Sequence, residues 1–151
     1  MNNIVVRRAN AADMDALIIL FDHYRQFYGR TSEPEAARDF LLNRLSRDDS
    51  ILFMAWVNNS AAGFVQLYPS FSSVMLAPTL ILNDLYVMRD SRRRGIASLL
   101  LAAAVEFAKS AGVVRLTLST AIDNIDAQAL YETRGWELDR QFLVYHMRLS
   151  T

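Results

Sequence analysis

Residues 92–98, Arg-Arg-Arg-Gly-Ile-Ala-Ser, stand between two apolar runs, "LILNDLYVM" and "SLLLAAAVEFAKSAG". That junction has the chemistry to hold an oxyanion. The start of a helix presents backbone N–H groups with no intrahelical partner and a partial positive charge. Gly95 lets the backbone approach a ligand closely, and Ala97 keeps the first turn uncrowded. The guanidinium groups of Arg92, Arg93 and Arg94 add charge-assisted hydrogen bonds. A phosphate or pyrophosphate is the group such a turn takes; the alternative is a solvated basic turn that merely begins a helix. The sequence holds neither G-x-x-x-x-G-K-[ST] nor G-x-G-x-x-G after a strand, which excludes a P-loop and a dinucleotide fingerprint.

Three other positions carry chemistry. Asp84 lies inside the apolar run "ILNDLYV", where a carboxylate is costly unless it is paired or faces a cleft. Its roles are an anchor for a cation that passes a proton through water, or a structural aspartate bonded to nearby backbone. Tyr131, in "ALYETRGW", is either a positioned phenol or an aromatic packed on the core face of a short helix. Tyr24, Phe27 and Tyr28 cluster near the end of a helix, with core packing the alternative for at least two of them; Phe71 in "PSFSS" is a fourth aromatic candidate. His23 and His146 show no metal-ligand spacing, so no metal is assigned.

The elements that position these residues follow from periodicity. The expected order is β α α β β β α β α β β in one domain, residues 1–151. "NIVVRRA" reads as a strand, and "NAADMDALIILFDHYRQFYG" as a helix capped by Asn10 and Asp13. Ser32 and Glu35 suggest a capping box for a second helix, with Pro34 in its first turn. "ILFMAWV" and "AGFVQLYPSF" form a hairpin, and "LAPTLILNDLYVM" another strand. A helix from about Gly95 to Ala111 follows, then the strand "VRLTLST", a short helix ending at Gly135, and two final strands, "WELD" and "FLVYHMRL". The strand–helix–strand unit around the arginines is expected to be parallel and the hairpins antiparallel. The expected fold is therefore α/β (α+β): a mixed, mostly antiparallel, seven-stranded sheet with helices on both faces.

Composition bounds the function. The 151 residues suit one core, and 16 basic against 16 acidic residues give zero formal net charge. That balance disfavours nucleic acid and acidic membrane surfaces as partners. Cysteine is absent, which removes disulfides, zinc–thiolate sites and cysteine nucleophiles. With no signal-like or membrane-spanning run, the expectation is a cytoplasmic protein.

"Arg92-x-x-Gly95-x-Ala97" after "DLYV" resembles the acyl-CoA pyrophosphate motif, R/Q-x-x-G-x-G/A, of the GNAT N-acetyltransferase superfamily. "DNIDAQALYETRGW" is similar to that family's downstream N-x-x-A-x-x-L-Y-E-x-x-G-[FW] segment, and the element order matches as well. "LNDLYV" looks like a strand of polyamine and diamine acetyltransferases, with Asn83 in place of a first acidic residue. "VQLYPSFSS" followed by "ILNDLYV" looks like a bacterial branch grouped with histone-type acetyltransferases.

The resemblance implies an N-acetyltransferase that moves the acetyl group of acetyl-CoA directly to a primary amine, small or on a peptide or protein, without a metal. In that reading the backbone of Leu85, Tyr86 and Val87 meets pantetheine as an added strand would. The N–H groups of Arg92, Arg93, Arg94, Gly95, Ile96, Ala97 and Ser98 hold the pyrophosphate. Asn124 bonds the pantetheine arm, and Tyr131 is the acid for the departing thiolate. Asp84, Tyr24, Phe27, Tyr28 and Phe71 serve the acceptor. The long apolar last strand implies a homodimer. Two readings compete with this one: a module that holds acyl-CoA without turnover, and a nucleic-acid-binding domain using the arginines.

Overall fold

The computed structural model describes residues 3–150. The elements are β1 (Ile4–Arg8), α1 (Met14–Phe27), α2 (Pro34–Arg47), β2 (Ile51–Val57), β3 (Ser60–Ser72), β4 (Ala77–Val87), α3 (Ile96–Ser110), β5 (Leu116–Leu118) and α4 (Ile125–Thr133). Short 3-10 turns lie at Ala11–Asp13 and Arg89–Ser91. The chain forms two compact units, one ending at Ser119 and the other beginning at Thr120.

The first unit is built on a sheet ordered β1-β2-β3-β4-β5. Its first three pairings are antiparallel and β4–β5 is parallel, as α3 between them requires. The β2–β3 turn needs two left-handed residues, and Asn58 and Asn59 supply them at φ 49° and 70°. Asn10 Oδ1 accepts from Ala12 N–H at 2.9 Å and Asp13 Oδ2 from Asn10 N–H at 3.0 Å, the expected capping box at the start of α1. The expected box at Ser32 does not form. Ser32 Oγ instead donates to Asp22 Oδ2 at 2.6 Å and Glu33 N–H to Asp22 Oδ1 at 2.8 Å. The buried Asp22 outcompetes a local cap, and α2 starts at Pro34 without one.

Helices cover both faces of this sheet. Leu52, Met54 and Phe64 pack with Leu17, Leu20, Phe21 and Leu41 of α1 and α2. On the other face α3 packs against β1 to β4. A methyl at Gly63 would sit 2.7 Å from the Tyr86 carbonyl oxygen and 3.3 Å from Leu100 Cδ1. Gly63→Ala is therefore expected to destabilise the fold by about 1–3 kcal/mol, the range for overpacking; an unchanged melting temperature would refute that packing.

A bulge in β4 controls which side chains face which way. Leu67 pairs with Leu82 and Gln66 with Asp84, so Asn83 is an extra residue in the ladder. Before the bulge, Leu80 and Leu82 are buried on the α3 side, while Ile81 stands opposite Tyr68 on the other. After it, Asp84 and Tyr86 pair with Gln66 and Phe64 and turn to the α1–α2 side.

The second unit contains α4, which Asn124 caps by accepting from Ala127 N–H at 3.3 Å. The chain leaves this helix through Gly135 at φ 92°. Here the structure corrects the seven-stranded expectation: five strands form among the described residues, and "WELD" and "FLVYHMRL" are not strands. Asp139 Oδ1 accepts from Gln141 N–H at 2.9 Å and Phe142 N–H at 3.2 Å, a side-chain turn that breaks an extended run. Residues 142–149 alternate as a strand would but have no ladder partner among the described residues. A strand is a property of a pair, and alternation alone does not supply the pair.

Candidate active site

The arginine turn has the backbone of an anion cradle. Arg93 and Gly95 both adopt left-handed conformations, φ 64° and 78°, which fold the N–H groups toward one side. The first bond of the α3 ladder runs from Leu99 N–H to the Gly95 oxygen at 3.1 Å, and no side chain caps the helix. The N–H groups of Ile96, Ala97 and Ser98 therefore precede the ladder. Nothing lies within 4 Å of a Cβ built on Gly95, so its left-handed φ, not crowding, calls for glycine.

Beside the turn, β4 has an open edge. Its parallel pairing with β5 covers only Leu80 to Leu82. Met88 N–H donates to the Ala62 oxygen at 2.8 Å, which sets the alternation with β3. Leu85 and Val87 consequently direct their backbone groups away from β3. The Val87 oxygen accepts from Arg92 Nε at 2.9 Å, and the Arg92 guanidinium lies 5.6 Å from the ring centres of Phe27 and Tyr86.

On the α1–α2 side of β4 lies a cleft of about 410 Å³, lined by Phe21, Tyr24, Phe40 and Tyr68, with Arg25 and Asp84 as its charged groups and Asn83 also in its wall. Asp84 is only 2% exposed. Gln66 Nε2 donates to its Oδ2 at 2.6 Å and Asn83 Nδ2 to its Oδ1 at 2.7 Å. Burial pushes the Asp84 carboxyl above the usual carboxylate range, against the opposing hydrogen bonds from Gln66, Asn83 and Tyr24. Burial and the same carboxyl push the Tyr24 and Tyr68 phenols up in turn. The single Tyr24 O–H is shared between that carboxyl and the Asn83 oxygen, 3.3 Å away.

The other predicted residues divide. Tyr24 lines the cleft. Phe27 and Tyr28 pack edge to face with each other but are 57% and 55% exposed, so neither is core. Phe71 is 81% exposed and pairs with Pro78, beyond the bulge from Asp84 and outside the cleft lining. In the second unit Asn124 is a helix cap, and the half-buried Tyr131 ring lies 6.2 Å from that of Trp136.

Residues 17–136 match the acetyltransferase (GNAT) family. The chain belongs to the GNAT acetyltransferase family. It is 41% identical over 140 residues to the uncharacterized N-acetyltransferase YhfO of Bacillus subtilis, covering 93% of this chain and 94% of that protein. A crystal structure of a probable acetyltransferase superposes with a TM-score of 0.93 at 40% identity, covering 97% and 99% of the two chains. The aminoglycoside N-acetyltransferase AAC(6')-Iy in complex with CoA shares the fold, with a TM-score of 0.82 at 20% identity over 98% and 97% of the chains.

As a GNAT acetyltransferase the chain is an acyltransferase. Sequence reasoning passes over four residues of its cleft region: Arg25, Phe40, Gln66 and Tyr68. Gln66 and Tyr68 alternate on β3, a visible signal, but what makes them neighbours of Asp84 is the cross-strand register. Among the described residues no helix is long and apolar enough to cross a membrane, and no cluster of three or more His, Cys, Asp or Glu could hold a metal.

Proposed function

We propose that this GNAT chain transfers the acetyl group of acetyl-CoA directly to a primary amine seated in the α1–α2 cleft. One observation carries the reading: the bulge at Asn83 turns Asp84 toward the cleft while Leu85 and the N–H of Val87 face the adjoining edge, where Arg92 Nε holds the Val87 oxygen. The chain's groups fit the donor. Edge amides and carbonyls suit the two amides of pantetheine, and the N–H groups of Arg92 to Ser98 with three arginines suit a diphosphate.

Bound acetyl-CoA supplies an activated acyl carbon, whose C–S bond breaks as the C–N bond forms. The chain does the rest. Leu85 and Val87 hold the arm, Tyr86 packs beside it, and the backbone of Arg92, Arg93, Arg94, Gly95, Ile96, Ala97 and Ser98 holds the diphosphate. Asn124 contributes its amide N–H groups to the arm while its oxygen caps α4.

Asp84 anchors the acceptor ammonium and takes its proton. Making a lysine-like amine neutral at pH 7.4 costs about 4 kcal/mol, from a pKa of ~10.4. A carboxyl raised by burial is a better base for that task than an ordinary aspartate. Tyr131 gives its proton to the departing sulfur. Tyr24 lines the cleft, and Phe27 and Tyr28 stand at the end of α1 near its mouth; Phe71 has no part in this reading. The same reading carries a homodimer, with a second copy over the exposed side chains of residues 142–149.

The test is calorimetry with acetyl-CoA alongside thiol release with added amine. Wild type is expected to bind and turn over. Gly95→Val, which forces a β-branched residue to φ 78°, is expected to lose at least about tenfold in acetyl-CoA affinity. Native affinity in that variant would refute the turn assignment.

A further inference from the structure

The cleft's charges narrow the acceptor, given the transferase reading above. Asp84 is the cleft's one carboxyl that no cation pairs. Arg25 pairs with Glu33 at 3.0 Å, and Arg44, whose charge reaches Tyr68, pairs with Asp49 at 2.8 Å. Asn83, which could have been a second anion, is neutral and spends its amide on Asp84. The remaining wall is four aromatic rings with Ala36 and Ala37 of α2, and Arg44 already lies 5.1 Å from the Phe40 ring centre. A first ammonium therefore finds a partner. A second would lose its water among rings and meet only the Arg25–Glu33 and Arg44–Asp49 pairs, with no unpaired carboxylate to receive it.

We propose that the acceptor is a monocationic primary amine carrying an apolar or aromatic body, and that the cleft discriminates against polycations such as polyamines and aminoglycosides. The amine end lies at Asp84 and the body lies among Phe21, Phe40 and Tyr68, which a chain ending in a methyl fills without stranding a charge.

Matched amines test this. Initial rates of thiol release from acetyl-CoA are measured with pentylamine, with cadaverine (the same chain ending in a second ammonium), with phenethylamine and with kanamycin. The expected kcat/KM for pentylamine and phenethylamine exceeds that for cadaverine and kanamycin by about tenfold or more, the scale on which a pocket separates such ligands. Asn83→Asp, which adds a second carboxyl to the wall, is expected to shrink that ratio by raising the rate with cadaverine. Equal or faster turnover of cadaverine or kanamycin by wild type would overturn the inference and leave the transferase reading standing. Acetyl-CoA binding with no thiol release from any of the four amines would sink both.

Discussion

Tyr131→Phe is expected to lower turnover by about 10²–10⁴-fold, the usual contribution of a positioned acid, and to leave acetyl-CoA affinity nearly unchanged. The substitution removes one oxygen and keeps the ring. The ring is what packs against Trp136, with centres 6.2 Å apart, so α4 and the turn at Gly135 keep their support. The loss is expected on kcat because, in the proposed role, the hydroxyl meets the charge that develops on the sulfur in the transition state. Single-turnover thiol release, compared with calorimetric affinity, separates the two. Wild-type turnover in this variant would remove Tyr131 from the chemistry.

Asp84→Asn produces the second large effect, and it moves activity and stability in opposite directions. Without the carboxyl, kcat/KM is expected to fall by about 10²-fold or more, and the acid limb expected of the wild-type pH profile to disappear. That limb is expected above the ordinary carboxylate range because burial raises the Asp84 carboxyl. A carboxyl raised in the folded state contributes stability that is fully present below its unfolded value of ~3.9 and is lost as pH rises through the folded value. At neutral pH the buried anion is therefore a burden, and asparagine relieves it. Gln66 Oε1 is buried without a partner and can accept from the new amide once the Gln66 amide turns over. The expected melting temperature is equal to or above wild type at neutral pH, with that advantage gone near pH ~3, below the unfolded value. A variant that is both less stable and fully active would contradict the assignment.

Much of this was legible along the chain, for identifiable reasons. The first nine elements follow from local signals: the Asn10–Asp13 box, Asn58–Asn59, Pro34, and glycine at the exits of α1 and α4. The arginine turn was legible because a helix start needs no distant partner. Where a distant residue decides, local reading failed. Ser32 looks like a cap, but Asp22, ten residues away, claims it. Phe27 and Tyr28 read as acceptor wall or as core along the chain, and only the fold, which leaves both exposed at the end of α1, removes the core alternative. Residues 142–149 carry a strand's apolar run, alternating from Tyr145 on, without a strand to pair with among the described residues. Gln66 and Tyr68 join the site only through a register that no single segment encodes.

Asn83 also makes the chemistry depend on counting. Leu82 and Asp84 are two apart, a spacing that puts both side chains on one face of an unbulged strand. Were Asn83 drawn into the ladder as an ordinary paired residue, alternation would carry the aspartate beneath α3 among leucines, and its leucine neighbour would enter the cleft. The sequence would be unchanged, yet the enzyme would be left with a carboxyl on the wrong side of its own sheet.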